Sequence, residues 1–234
     1  MKEKKMRRYL LLSLTLGMLL IPRQAFAVSV VDLISNGDFS GGLTNWNVFS
    51  FNGSKATQTI DANGGTLNWL ATDATEGNAV GVVQFLNVDV TSYASLIFQS
   101  NVNPKSQSVD SPGISGVDFP VRIDIDYVDV NGINRVFRHG FFNSGTDSAS
   151  TPGTQLAPNG SSDSSTWFLY TSEDLTTLPN KPKTISDVVI LGAGFNYEGQ
   201  ADNVKLLATP TPEPVTSLLF ATGLLGLALR RRRA

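Results

Sequence analysis

One histidine, three tryptophans and no cysteine leave this chain few side chains for polar chemistry, apart from its carboxylates. His139 alone cannot build a histidine metal site, and no Gly-x-Ser-x-Gly elbow surrounds any serine that might join it in a triad. The lack of cysteine excludes thiolate ligands, a thiol nucleophile and disulfides. Between residues 28 and 209 there are three glutamates (Glu76, Glu173 and Glu198) and fifteen aspartates, so a glycosidase-type acid pair is allowed by number. Asp124 and Asp126 fall on one face of an alternating segment and Asp129 on the other. That spacing reads as a solvated strand face with weak cation affinity. Trp46, Trp69 and Trp167 are the rings that could stack on a sugar. Trp46 is expected in the core, while Trp69 and Trp167 sit in apolar company and are weak ligand-binding candidates.

The elements that would position these residues have a period of two. Val121, Ile123, Ile125 and Tyr127 alternate with Arg122, Asp124 and Asp126. Asn131-Gly132 then supplies a hairpin turn that tolerates positive φ, and Arg135 to Phe142 alternates on the return. Further strands are expected at 28–34, 45–51, 56–60, 66–71, 80–90, 95–102, 166–171, 184–192 and 201–207. Short strands punctuated by Gly, Asn, Asp, Ser and Pro predict an all-β, antiparallel sandwich. Segments 103–120 and 143–165, rich in Ser, Gly, Pro and Asp, are expected as surface loops.

Both flanks of this domain carry targeting patterns. At the front, Lys2, Lys4, Lys5, Arg7 and Arg8 precede an apolar run from Tyr9 to Ile21. Ala25-Phe26-Ala27 follows, so residues 1–27 read as a signal peptide cleaved after Ala27. At the back, a linker over 208–214 ends in Pro212-Glu213-Pro214. An uncharged apolar segment follows from Val215 to Leu229, then Arg230, Arg231, Arg232 and Arg233 within the basic tail 230–234. Prolines cannot continue a ladder or helix, and an arginine cluster stays on the cytoplasmic side. Fifteen helical residues would span roughly 22 Å, short of about 30 Å of hydrocarbon.

This order of parts resembles the PEP-CTERM sorting signal of exported bacterial proteins. The resemblance implies recognition by an exosortase-like membrane enzyme, a transient inner-membrane intermediate, and delivery to the cell surface or exterior of a Gram-negative bacterium that makes extracellular polysaccharide. Without the two flanks, the segment 28–209 holds eight basic and eighteen acidic side chains, a net charge of −10. Such a domain repels nucleic acid and anionic lipid, so neither is expected as a partner.

A second resemblance lies at the ends of the domain, 28–207. Leu33-Ile34-Ser35-Asn36-Gly37-Asp38-Phe39 with Gly41-Gly42-Leu43-Thr44-Asn45-Trp46, and the closing Asp202-Asn203-Val204-Lys205-Leu206, resemble the first and last motifs of galactose-binding-like jelly rolls, including many carbohydrate-binding modules. That resemblance implies a jelly-roll-like sandwich and a structural calcium where the two ends meet, with Asp38 and Asp202 as ligands. Ser40 stands where the family often has glutamate. The combined expectation is a non-catalytic surface or matrix protein associated with exopolysaccharide or biofilm. The alternative is a carbohydrate-binding module with a defined glycan ligand, and a glycoside or ester hydrolase ranks last.

Overall fold

The computed structural model describes residues 29–52, 56–108, 118–143, 154–156 and 166–211. The signal segment with Ala25 and Ala27, the Pro212-Glu213-Pro214 motif, the apolar run and the arginines lie outside them. No helix among the described residues is long and apolar enough to cross a membrane. Twelve strands follow in order: β1 Val31–Asp32, β2 Asn47–Asn52, β3 Thr57–Asp61, β4 Leu67–Thr72, β5 Asn78–Asp89, β6 Tyr93–Gln107, β7 Phe119–Asp129, β8 Asn134–Phe142, β9 Thr154–Leu156, β10 Phe168–Thr171, β11 Pro182–Gly194 and β12 Tyr197–Pro210. They form two six-stranded sheets. Sheet A has the order β10-β6-β12-β4-β3 with β1 on β12, and sheet B the order β2-β5-β11-β7-β8-β9. Every pairing is antiparallel except β8 with β9. The described residues thus form an all-β, two-sheet sandwich.

Alternation decides what fills the space between the sheets. Val121, Ile123 and Ile125 of β7, with Val188 and Ile190 of β11, face Leu96 and Phe98 of β6 and Leu67 and Trp69 of β4 in one buried cluster. Trp69 is 1 % exposed, and its indole N–H donates to the Pro120 carbonyl at 2.7 Å. Two glycines make room for it: a Cβ on Gly192 would lie 2.4 Å from the Trp69 ring nitrogen, and one on Gly199 at 2.7 Å. His139 is also a framework residue, its ring 4.3 Å from that of Tyr170 and 4.8 Å from that of Phe141.

The strands of sheet A run further than alternation predicts. The segment expected as loop from residue 103 continues β6 to Gln107, paired with β12 back to Tyr197. A register shift between Glu198 and Gly199 accommodates the change. Within 143–165, Thr154–Leu156 forms β9 alongside Gly140–Phe142.

The two terminal motifs meet. Val204 N–H donates to the Gly37 carbonyl at 2.8 Å and Leu33 N–H to that of Leu206 at 2.9 Å, while Asp32 Oδ1 accepts from Leu206 N–H at 3.0 Å. Asn36, at φ 53°, holds the following loop through its amide, which donates to the Gly42 and Thr44 carbonyls and accepts from Gly41 N–H. Phe39, fully buried, then packs 5.5 Å from Trp46.

Candidate functional site

Each sheet turns one face outward, and the two faces differ in how their polar groups are used. On sheet A the amides bind one another across four strands. Asn103 donates to Gln200 at 3.0 Å, Gln200 to Asn68 at 2.6 Å, and Asn68 to the Asp61 carboxylate at 3.1 Å. A ladder closed on itself offers little to a ligand.

Sheet B gathers charge instead. Directly paired residues share a face, so the register sets out three outward rows. The first runs Phe85, Asp187, Asp126, Val136; the second Val83, Val189, Asp124, Arg138; the third Gly81, Leu191, Arg122, Gly140. Asp124 is 6 % exposed and sits between two guanidinium groups. Arg138 grips it with Nε on Oδ1 at 2.7 Å and Nη2 on Oδ2 at 2.8 Å, and Arg122 Nη2 lies 3.0 Å from Oδ2. Burial lowers the Arg122 pKa, while the hydrogen bonds to Asp124 raise that of Arg138. The expectation of a solvated face at Asp124 is therefore corrected: it is the buried hub of a fork-shaped ion pair. Asp129, on the opposite face as expected, is fully buried. It accepts from the N–H groups of Asn131 and Ile133 and from Arg135 Nε, and so closes the hairpin turn.

Beside the hub, Asp126 and Asp187 meet across β7 and β11. Burial, then the charge and hydrogen bond of Asp126, push the Asp187 carboxyl up to about 6. Held opposite Asp126 in the register, the Asp187 carboxyl keeps its proton to higher pH than a free aspartate does.

A stability consequence follows. The folded state binds this proton more tightly than the unfolded chain, where an aspartate titrates near 3.9, so stability declines as pH rises from about 4 through 6. Asp187→Asn removes that decline. The variant should be more stable than the parent at pH 8 by of order 1 kcal/mol, after discounting for solvent screening, and no more stable at pH 4. Thermal melts at the two pH values check this, and an equal gain at both would contradict it.

The other sequence candidates fall elsewhere. Trp69 is corrected as a ligand-binding candidate, because its ring lies inside the core and its N–H is already bonded. Trp167 is 39 % exposed, but it precedes edge strand β10 of sheet A, away from the charged rows. Asp38 and Asp202 do come near one another, since the charge of Asp38 helps burial to raise the Asp202 pKa. Asp38 accepts from Ser40 and Asp202 from Asn203. Among the described residues no third acidic or histidine side chain joins them in a metal-holding group, and two carboxylates are thin for an ion that takes six to eight oxygens. The hub itself was missed in sequence. Its signal was the Arg122-x-Asp124-x-Asp126 alternation, whose partners Arg138 and Asp187 lie on other strands.

No family model and no curated protein matches the chain. Among solved structures it is similar to the family 11 carbohydrate-binding module of the cellulosomal cellulase Lic26A-Cel5E of Clostridium thermocellum, at 16 % identity over 80 % of this chain and 99 % of that one, with a TM-score of 0.44. The CBM22-1 xylan-binding domain of Paenibacillus barcinonensis Xyn10C matches at 12 % identity over 80 % and 99 %, with a TM-score of 0.41. TmCBM61, solved with β-1,4-galactotriose, matches at 10 % identity over 75 % and 97 %, with a TM-score of 0.39. Likenesses this distant say nothing about ligand.

Proposed function

We propose that this chain is an exported, non-catalytic surface protein whose sandwich binds a neutral polysaccharide on the outer face of sheet B. The observation that carries the reading is the row of fixed guanidinium and carboxylate groups set among apolar side chains. Sugars present neighbouring hydroxyls that both donate and accept, above C–H faces that pack on hydrocarbon. Arg138, 39 % exposed at its side chain, has N–H groups beyond the two given to Asp124. Asp126 and Asp187 accept, and Val83, Val189 and the 62 % exposed Phe85 provide apolar contact. Strand positions hold such groups more rigidly than loops do. The net charge of −10 on 28–209 disfavours anionic polymers at low salt, hence the neutral class.

The export reading stands on sequence. We take residues 1–27 as a leader and, because β12 runs through the expected linker start at 208 as far as Pro210 and Thr211 is still bonded to Ser92, 212–234 as a sorting segment for an exosortase-like enzyme that leaves the protein in the extracellular matrix. Full-length chain, Arg230 to Arg233 included, as the main species in cells would overturn that part.

Affinity electrophoresis through gels containing soluble β-glucan, xylan or galactan tests the binding reading. The protein should be retarded by at least one of these neutral polymers, and Arg138→Ala should weaken retention about 10-fold or more, the scale of losing a charged hydrogen bond. Retention on none, or equal retention of the variant, would refute it.

A further inference from the structure

Thr211, the last of the described residues, is tied to the domain: its N–H donates to the Ser92 carbonyl at 3.0 Å and its hydroxyl to the same oxygen at 2.9 Å. Three residues then precede Val215, where the apolar segment begins. Four residues extend no further than roughly 14 Å in any conformation. When the apolar segment is in a bilayer, this end of the sandwich is held beside it.

Hydrogen bonds identify what else lies at that end. Ser92 belongs to the β5–β6 turn, closed by Tyr93 N–H on the Val90 carbonyl. Val90 N–H donates to Lys183, and Val130 N–H to Lys181 at 3.0 Å. The tip of the β7–β8 hairpin therefore sits on the same end. So does the front of the domain, because Val31 pairs with Ala208 two positions before Pro210. Four aliphatic side chains are largely bare here: Val30 at 54 %, Val31 at 42 %, Val130 at 54 % and Ile133 at 50 % exposure. Lys181 and Lys183 are exposed beside them. Two exposed acids stand at this end: Asp32, next to Val31, whose Oδ1 accepts from the Ile34 and Leu206 N–H groups, and Asp89, whose pKa is lowered by Thr91 and, less, by Lys183.

We infer that this end, carrying Val30, Val31, Val130, Ile133, Lys181 and Lys183, is a docking surface for the lipid bilayer while the tail is in place. The inference rests on the reading of 215–229 as a membrane segment. Aliphatic side chains enter the headgroup boundary and lysines meet lipid phosphates. A domain of net charge −10 is repelled by such a surface when free. The tether supplies the local concentration that solution lacks, and the lysine-bearing end is the one it presents. Strands then stand away from the membrane, and the charged face of sheet B opens sideways to whatever polymer lies outside.

The chain has no cysteine, so one introduced thiol reports one place. Asn131→Cys at the hairpin tip and Glu76→Cys beside the start of β5 lie at opposite ends, separated by a strand of 12 residues, roughly 40 Å. Each full-length protein, labelled with an environment-sensitive fluorophore, is reconstituted into phosphatidylethanolamine–phosphatidylglycerol vesicles carrying a headgroup quencher. Quenching should be at least threefold stronger at 131 than at 76. Val130→Asp with Ile133→Asp, both at exposed positions, should reduce that ratio at least twofold. Equal quenching at the two ends in protein that floats with the vesicles would overturn the docking surface alone. Protein that does not float with them would overturn both the membrane reading of 215–229 and this inference.

Discussion

Asp124→Ala should lower the melting temperature of the domain by about 10 °C. Asp124 is the shared counter-charge of Arg122 and Arg138, and the Arg122 side chain is only 13 % exposed. Removing the acid leaves the Arg122 guanidinium in the sheet face with only the weaker influence of Asp118 in its place, a change of about 3–5 kcal/mol for a buried pair broken on one side. At roughly 2–4 °C per kcal/mol for a domain of this size, the drop is large enough to read by circular dichroism. Added salt should change the difference little, because a pair this buried is weakly screened. A loss of less than 1 kcal/mol would mean that water solvates Arg122 and the hub is not buried in solution.

The same hub lets stability and binding be separated. Replacing a whole buried ion group by apolar residues of similar volume is often neutral. The triple change Asp124→Leu, Arg122→Met and Arg138→Met should therefore melt closer to the parent than Asp124→Ala does, yet lose polysaccharide retention. A hub that served only the fold would behave otherwise, with retention surviving the triple change.

What could be read in sequence, and what could not, divides at the strand pairing. The β7–β8 hairpin was legible because Ile123 and Ile125 alternate with polar neighbours and Asn131-Gly132 marks the turn. The two-sheet architecture followed from many such short runs. The tail of β6 was not legible, since Asn103, Lys105 and Ser106 offer no apolar alternation. That stretch is a strand because its backbone groups pair with β12. The hub was half legible. Alternation put Asp124 and Asp126 on one face, but burial of that face depends on Arg138 and Asp187, which only the register of three strands brings alongside. The apolar neighbours of Trp69 spoke in sequence for the core over a ligand-binding role, and the ring is buried; the space that Gly192 and Gly199 leave for it was not legible, because only the strand pairing brings them there.

Gly37→Ala should be the most damaging single-methyl change in the domain. Of the Asn36-Gly37 pair it is Asn36 that takes the left-handed conformation, and Gly37 does not. Gly37 is needed for closeness: a Cβ on it would lie 1.9 Å from the Val204 carbonyl oxygen and 2.9 Å from its carbon, both backbone atoms. A flexible side chain could yield, but the β12 backbone is tied to Gly37 itself by the Val204 N–H bond and to Asp32 through Leu206. Relief therefore requires the front of the chain to peel from the last strand, which also loosens the Phe39 and Trp46 contacts set by the same loop. The expected loss is about 3 kcal/mol or more, at the upper end for overpacking a closed site, with thermal unfolding and tryptophan emission reporting it together. Asn36→Gly, which keeps the left-handed backbone at no steric cost but deletes the amide that holds Gly42 and Thr44, should be milder. If the two substitutions proved equal, the contact with Val204 would not be what fixes glycine at position 37.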